Sequence, residues 1–492
     1  MGKQNNPGAA VTVKNGAPDI GGLVLGWSKN RRKIYSHTDD THSLIIGSTR
    51  CGKSRHVVLP SIGYSALAGE SMINVDPKGE LYLYSKQCLE KLGYEVIAID
   101  FIEPNKSNHY NFVQPVLDAV NEGDLSRAVT CAQDISTLLV PDKEHTSSDP
   151  IWSMGERAII TVAILAVCIL FPDPRHQNLS NARHFIAKMC VPGPRGEPAP
   201  IVGFLNQLPD DSPMRTALDI AKIAPDKMQC SFYASALTTL SVFADTNIHS
   251  MTAMTDFDHL ATGDRKRAIF IIVPPEKATY YPIASLFVFQ QYQLLVQSAR
   301  EHGNRLKRRV EFFCDEFGNF AKIPDMDKAI TIGGGLGCRF HLFVQDLNQI
   351  YERYGERLGK TMVGNCETWI YLHTANPDTV QEIVKKLDKY TIKSPSISSG
   401  ANGQGSASFN YTARDLLTIS EVQKIRRPWQ LVMSRADPVV MFAPDISKTF
   451  FNTMFGMGSK RHNEKLIEYR NAQRKVYTPS VSYWDGWKKH TA

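Results

Sequence analysis

The chain has 492 residues, 42% hydrophobic and 21% charged, a balance that suits a soluble globular protein of two or three domains and excludes disorder as its main state. Its formal charge is +7, yet residues 456–492 alone carry eight Lys/Arg against three Asp/Glu, so +5 of the excess lies in that last stretch. The rest is nearly neutral, which excludes a surface that coats nucleic acid all over and leaves room only for a local anionic partner or a solvated tail.

Residues 1–19 contain no apolar core, which argues against a signal peptide or an anchor there. A β-branched run over 42–46 predicts a buried strand. It leads straight into Gly47-Ser48-Thr49-Arg50-Cys51-Gly52-Lys53-Ser54, a match to the G-x-x-x-x-G-K-[ST] phosphate loop, and the residues from Arg55 to Leu59 can open the helix that the motif requires. The physical logic is local. Gly47 and Gly52 let successive backbone N–H groups turn inward around a β-phosphate, and the helix N-terminus adds partial positive charge. Lys53 is then expected to bridge β- and γ-phosphates and Ser54 to ligate Mg²⁺, so Gly47, Ser48, Thr49, Arg50, Cys51, Gly52, Lys53, Ser54 and Arg55 form the candidate nucleotide-binding set. Pro60, about two turns into that helix, predicts a kink or an early end near Leu59.

Runs over 72–75 and 96–101 predict the next strands. The first ends at Asp76-Pro77-Lys78-Gly79-Glu80, where Asp76 and Lys78 either face the same crevice or form a plain turn. Asn105-Lys106-Ser107-Asn108 lacks the closing Asp of a guanine reader, which favours ATP over GTP. Between 111 and about 256 the pattern changes to helical spacing, over 153–170, 180–189 and 229–243, with breaks at 141–149 and 191–200; this predicts an all-α insertion. Its apolar run over 158–171 is shorter than the roughly 20 residues a membrane span needs and reads as a buried helix.

Strand character returns over 268–273, 310–314, 340–344 and 368–372. The second of these runs ends at Asp315-Glu316, where Asp315 is expected to hold the Mg²⁺ shell and Glu316 to polarise the attacking water. Glu311 is out of keeping with a buried strand. Gln345, at the end of the third run, can contact a γ-phosphate, though a surface amide is the plainer reading. The Ser/Gly/Asn-rich segment 394–408 predicts a mobile loop. Two basic clusters, 305–309 and 424–427, fit phosphate contact and solvated faces equally well. Nine cysteines without a CxxC pair or a Cys/His cluster suggest neither a disulfide framework nor a zinc site, as suits a reducing cytosol.

The fold class is therefore α/β, a P-loop domain on a predominantly parallel sheet with an inserted all-α domain. The expected division is 1–113 and 259–456 for the two parts of the nucleotide-binding domain, 114–258 for the all-α domain and 457–492 for a basic tail. Lys53 and Asp315 stand 262 residues apart, too far for a compact nucleotide kinase.

GSTRCGKSRHVVLPSI, INVDPKGELY, DEFGNFAKIPDMDKAITIGGGLGCRFHLFVQDLNQI and ARDLLTISEVQKIRRPWQLVMSRADPVVMF follow one another in an order that resembles the conjugative type IV coupling proteins, the TraG/TraD family. The resemblance covers roughly 21–442. It implies a RecA-like ATPase that assembles as a hexamer at the cytoplasmic face of the bacterial membrane. It also implies a machine that uses ATP and Mg²⁺, recruits relaxase-bound single-stranded DNA and passes it to subunits of a type IV secretion channel. By motif position it carries Lys53 and Ser54 over as phosphate and magnesium ligands, Asp315 and Glu316 as the acidic pair and Gln345 as the sensor. Family members usually begin with transmembrane helices, which this sequence lacks, so a cytosolic fragment or an anchorless form is expected. Where some members place an arginine finger this chain has Gly333-Gly334-Gly335; Arg339 is the nearest arginine and a weak candidate for action across a subunit interface, with a structural role the plainer expectation.

Overall fold

The computed structural model describes residues 18–140, 150–193, 197–399 and 405–486. The expectations for 1–17, for the break at 141–149, and for Lys488 and Lys489 lie outside the described residues. Strands β1 Leu23–Trp27 and β2 Ile34–His37 precede the phosphate-loop strand β3 His42–Gly47, and β4 Ser71–Val75 and β5 Glu95–Asp100 follow it. Then come β6 Arg267–Ile272, β7 Val310–Cys314, β8 Cys338–Val344 and β9 Cys366–His373. A hairpin of β10 Lys389–Ser399 and β11 Gly405–Asp415 precedes β12 Trp429–Met433 and β13 Val439–Phe442.

Eleven of these strands form one sheet in the order β2-β1-β13-β12-β9-β3-β8-β7-β4-β6-β5. From β9 to β5 all neighbours are parallel. This is the part predicted from the apolar runs, and the reason for its legibility is burial: β3, β4, β6, β7 and β8 are buried at every residue. Alternate side chains feed two different cores. Leu44 and Ile46 point into one, whereas Ile45 points into the other. The antiparallel flank β2-β1-β13-β12 extends the sheet past β9 and carries no comparable run in the sequence.

Between β5 and β6 the described residues form helices only, from Gln114–Asn121 to Thr246–Thr252. The central one, Ile151–Leu170, is long and apolar enough to cross a bilayer, but it lies inside the bundle with Ile159, Ile160 and Val162 to Val167 inaccessible to solvent. The 394–408 segment differs from expectation. Apart from residues 400–404, which lie outside the described residues, it belongs to the β10–β11 ribbon, paired in register from Lys389↔Asp415 to Ser399↔Gly405. Backbone pairing holds it, so the polar composition that reads as loop is tolerated.

The basic C-terminal segment is docked over its described part through Arg470 and Arg474, while Lys460, Arg461, Lys465 and Lys475 stay exposed. Helix Lys460–Ala472 lies against helix Glu80–Lys91, where Arg470 donates to the carbonyls of Leu83 and Tyr84 at 2.9 and 2.8 Å. Arg474 is buried and donates to Asp100 at 2.6 Å. Beyond it, Tyr477 packs edge-on against His109, Ser482 meets His176 at 2.7 Å and Trp484 packs on Phe171. The strap thus runs from the sheet edge onto the inserted helices. The 305–309 cluster is taken up by protein partners, with Arg305 and Lys307 still exposed: Arg305 and Arg309 pair with Asp40, Arg309 also with Glu70, Lys307 with Asp264, and Arg308 donates to the Gly69 carbonyl.

Candidate functional site

Three adjacent strands end at the same edge. β8 lies between β3 and β7, with Ile46 opposite Val344 and Leu342 opposite Cys314. This register sets Gly47 beside Gln345 and Asp315 level with Phe343, two residues before Gln345, at the same edge of the sheet. β4 continues the row, since Val75 is opposite Cys314 and so brings Asp76 next to Asp315.

The loop after β3 is shaped by left-handed backbone at Arg50 (φ 65°) and Gly52 (φ 100°). A side chain at Gly47 would place its Cβ 2.4 Å from Cys51 Sγ, so only glycine fits that close turn. Ser48 N–H donates to the His373 carbonyl at 2.7 Å, tying the loop to β9. Lys53 is buried, and its Nζ donates to the Gly47 carbonyl at 2.5 Å, which holds the ammonium inside the loop. The helix begins as a π turn, Ser54–Val58, and continues as an α-helix over Leu59–Ala68. Pro60 falls in the first turn of that α-helix, where a missing N–H costs little, so the helix neither stops nor ends early at Leu59.

Asp315 is buried, and burial pushes its carboxyl up to about 6 against the pull of Lys53. Its Oδ1 accepts the Glu316 N–H at 3.0 Å, and it forms no ion pair among the described residues. A buried carboxylate with a hydroxyl-bearing Ser54 near a lysine is a donor set suited to a hard divalent cation, so the residues present fit Mg²⁺. Glu316 sits in the left-handed region (φ 52°, ψ 40°), an unusual conformation for a non-glycine residue, and Asn319 Nδ2 donates to its Oε2 at 2.9 Å. Gln345 is half-buried, and its own N–H donates to Gln349 Oε1 at 2.9 Å. Asp76 is buried and pushed up to about 7, chiefly by burial; it accepts the Tyr82 N–H at 2.8 Å and so anchors the start of helix Glu80–Lys91. Lys78 is exposed and adds a positive field at Asp315.

Residues 3–443 match the family model for the type IV secretory system conjugative DNA transfer proteins. The chain belongs to that family. It is 25% identical over 413 residues to Protein VirD4 of Rhizobium radiobacter, covering 80% of this chain and 57% of that protein. To the conjugal transfer protein TraG of Escherichia coli it is 23% identical over 462 residues, covering 87% of this chain and 68% of the relative. Among solved structures, plasmid coupling protein TrwB in complex with ADP and Mg²⁺ has the same fold, with a TM-score of 0.60 at 16% identity, over 84% of this chain and 88% of that one. The chain spans little more than half the length of the VirD4 relatives it matches.

Two members of the candidate set are engaged elsewhere in this family member. Arg55 lays its guanidinium against Asp445, with Nε and Nη2 at 2.7 Å from the two carboxylate oxygens. Burial works against the Asp445 charge, but the Arg55 hydrogen bonds win and hold that carboxyl below its ordinary range. Arg55 therefore pins the loop's helix to the segment after β13.

Arg339 is the larger correction. It lies near the start of β8, at the sheet edge opposite the phosphate loop, and is 1% exposed. It is in contact with Glu311 and donates to Glu70 at 2.6 Å and to the Thr38 carbonyl at 3.0 Å. Glu311, opposite Arg339 in register, also meets His341 Nε2 at 2.7 Å, and burial keeps that imidazole neutral by pushing it down to about 3. A side chain held this way cannot reach a neighbouring subunit.

A cation does stand over the phosphate loop, and it comes from the 424–427 cluster, whose sequence fits phosphate contact and a solvated face equally well. A Cβ on Gly52 would lie 3.2 Å from Arg427 Cδ, and the Arg427 charge is felt at Cys51 and His56. Arg427 is exposed and forms no ion pair among the described residues. It lies in the last of the four quoted segments, and the path of the chain after helix Ile419–Gln423 brings it to the loop. A cavity of about 740 Å³ between helices Leu125–Leu139, Tyr281–Glu301 and Met326–Leu336 is lined by none of these residues.

Proposed function

We propose that the chain is the motor portion of a coupling protein, hydrolysing ATP with Mg²⁺ to drive single-stranded DNA or a relaxase–DNA complex toward a type IV secretion channel. The observation that carries this reading is the convergence of Lys53, Asp315, Glu316 and Gln345 on the ends of three neighbouring strands. Lys53 holds the β- and γ-phosphates, and the loop N–H groups from Ser48 to Ser54 accept their charge without side-chain reorganisation. Asp315 and Ser54 would hold Mg²⁺, which supplies charge neutralisation between β- and γ-oxygens when bound. Glu316, kept in place by Asn319, takes the proton of the attacking water, and Gln345 reads the γ-phosphate. Arg427 acts in cis on the phosphates. A hexameric ring at the cytoplasmic membrane face, with relaxosome proteins and channel subunits as partners, completes the proposal; it rests on the family relationship.

The test is ATP turnover with and without single-stranded DNA for the wild type and Lys53→Ala, alongside oligomeric mass. DNA-stimulated turnover that Lys53→Ala lowers by at least about a hundredfold supports a motor. Turnover indifferent to DNA, with ATP controlling partner binding only, replaces it with a nucleotide-gated docking receptor. Arg427→Ala is expected to raise the KM for ATP about tenfold, the effect of losing one charge-assisted hydrogen bond, with kcat changed by less than about threefold in steady-state assays.

A further inference from the structure

The β10–β11 ribbon stands outside the main sheet as its own two-stranded element. Its base is closed by the Leu416 N–H donating to the Asp388 carbonyl at 3.0 Å. The register places Lys393 directly opposite Tyr411, and residues two apart on a strand share a face, so Lys393, Tyr411 and Phe409 lie together on one side. Phe409 is 56% and Tyr411 74% exposed, and Lys393 Nζ lies 4.0 Å from the Phe409 ring centroid. From Lys389 to Asp415 the ribbon carries three cations and one acid. Lys389 pairs with Asp415 across the strands and Arg414 with Glu421, whereas Lys393 forms no ion pair among the described residues. Two exposed rings about 7 Å apart with a lysine beside them make a poor protein core and a good stacking platform for unpaired bases. The unpaired Lys393 charge is available to a phosphate.

We propose that this ribbon face binds single-stranded DNA, Phe409 and Tyr411 stacking on bases and Lys393 contacting a phosphate. The proposal rests on the translocase reading above and gives it a DNA surface. The ribbon is also wired to the nucleotide site. Its first strand follows helix Pro377–Leu387, whose Lys386 stacks on Trp369 of β9, the strand beside β3. Its second strand leads, through helix Ile419–Gln423, to Arg427 at the phosphate loop. A strand bound on the ribbon is thus linked on one side to the neighbour of the phosphate-loop strand and on the other to Arg427.

The experiment measures fluorescence anisotropy of a labelled oligo-dT with the full chain, Mg²⁺ and a non-hydrolysable ATP analogue. Phe409→Leu/Tyr411→Leu keeps the apolar bulk and removes the π-faces, and is expected to weaken binding about tenfold or more. Phe409→Tyr/Tyr411→Phe is expected to stay within about twofold of wild type. Lys393→Gln should lower the salt slope of binding by about 0.7. Melting midpoints for all variants establish that they fold. If the leucine and aromatic variants bind alike while the wild type binds, the ribbon proposal falls and the motor reading stands. A leucine variant that changes oligomeric mass and leaves oligo-dT affinity intact makes the face a subunit contact and also overturns it. A wild type that binds no oligo-dT overturns both.

Discussion

Glu316→Gln is expected to lower ATP turnover by about 10²–10⁴-fold, the range for loss of a positioned general base, while nucleotide binding survives. The amide keeps the shape of the side chain and its place beside Asn319 Nδ2, so the loop conformation around φ 52° has no reason to change. A fluorescent nucleotide should therefore bind Glu316→Gln with wild-type affinity while single-turnover hydrolysis stalls. Loss of binding in parallel with turnover would show instead that Glu316 supports the loop rather than the water.

The second large effect is on stability. Arg339→Met should cost about 3–5 kcal/mol in urea unfolding, because it leaves Glu311, which is fully buried, without its cation. Arg339→Met/Glu311→Met removes one charge of each sign and should recover most of that loss, since Arg309 remains with Glu70 and Asp40. A trans-acting finger behaves in the opposite way: its loss costs turnover by about 10³–10⁵-fold and leaves unfolding unchanged. Activity per folded molecule and unfolding free energy, measured on the same preparations, distinguish the two roles directly.

The parts legible in the sequence are those whose physics is local. The phosphate loop needs its glycines, lysine and serine within eight residues of one strand, and five of the seven parallel strands are marked by burial at every residue. Glu311 and Arg339 offered a signal that went unused. Glu311 is a charge inside a run predicted as a buried strand and Arg339 stands immediately before another, and two such runs side by side imply a pair. The flank is a different matter. β1 contains Gly26, and β2 and β13 are four residues long, too short to show a period. The ribbon is stabilised by backbone pairing that serine and glycine do not advertise. Arg427 reaches the loop from 375 positions away along the chain, so nothing near Gly52 announces it.

The docked C-terminal segment is a tether between distant parts of the fold. Asp76 anchors one end of helix Glu80–Lys91 next to Asp315, while Arg470 grips two carbonyls of the same helix and the following residues continue to Phe171 and His176. One run of residues thus ties the helix that starts at the carboxylate row to the helices between β5 and β6. A chain cut after Arg474 would keep the ion pair with Asp100 and lose the contacts with His109, His176 and Phe171.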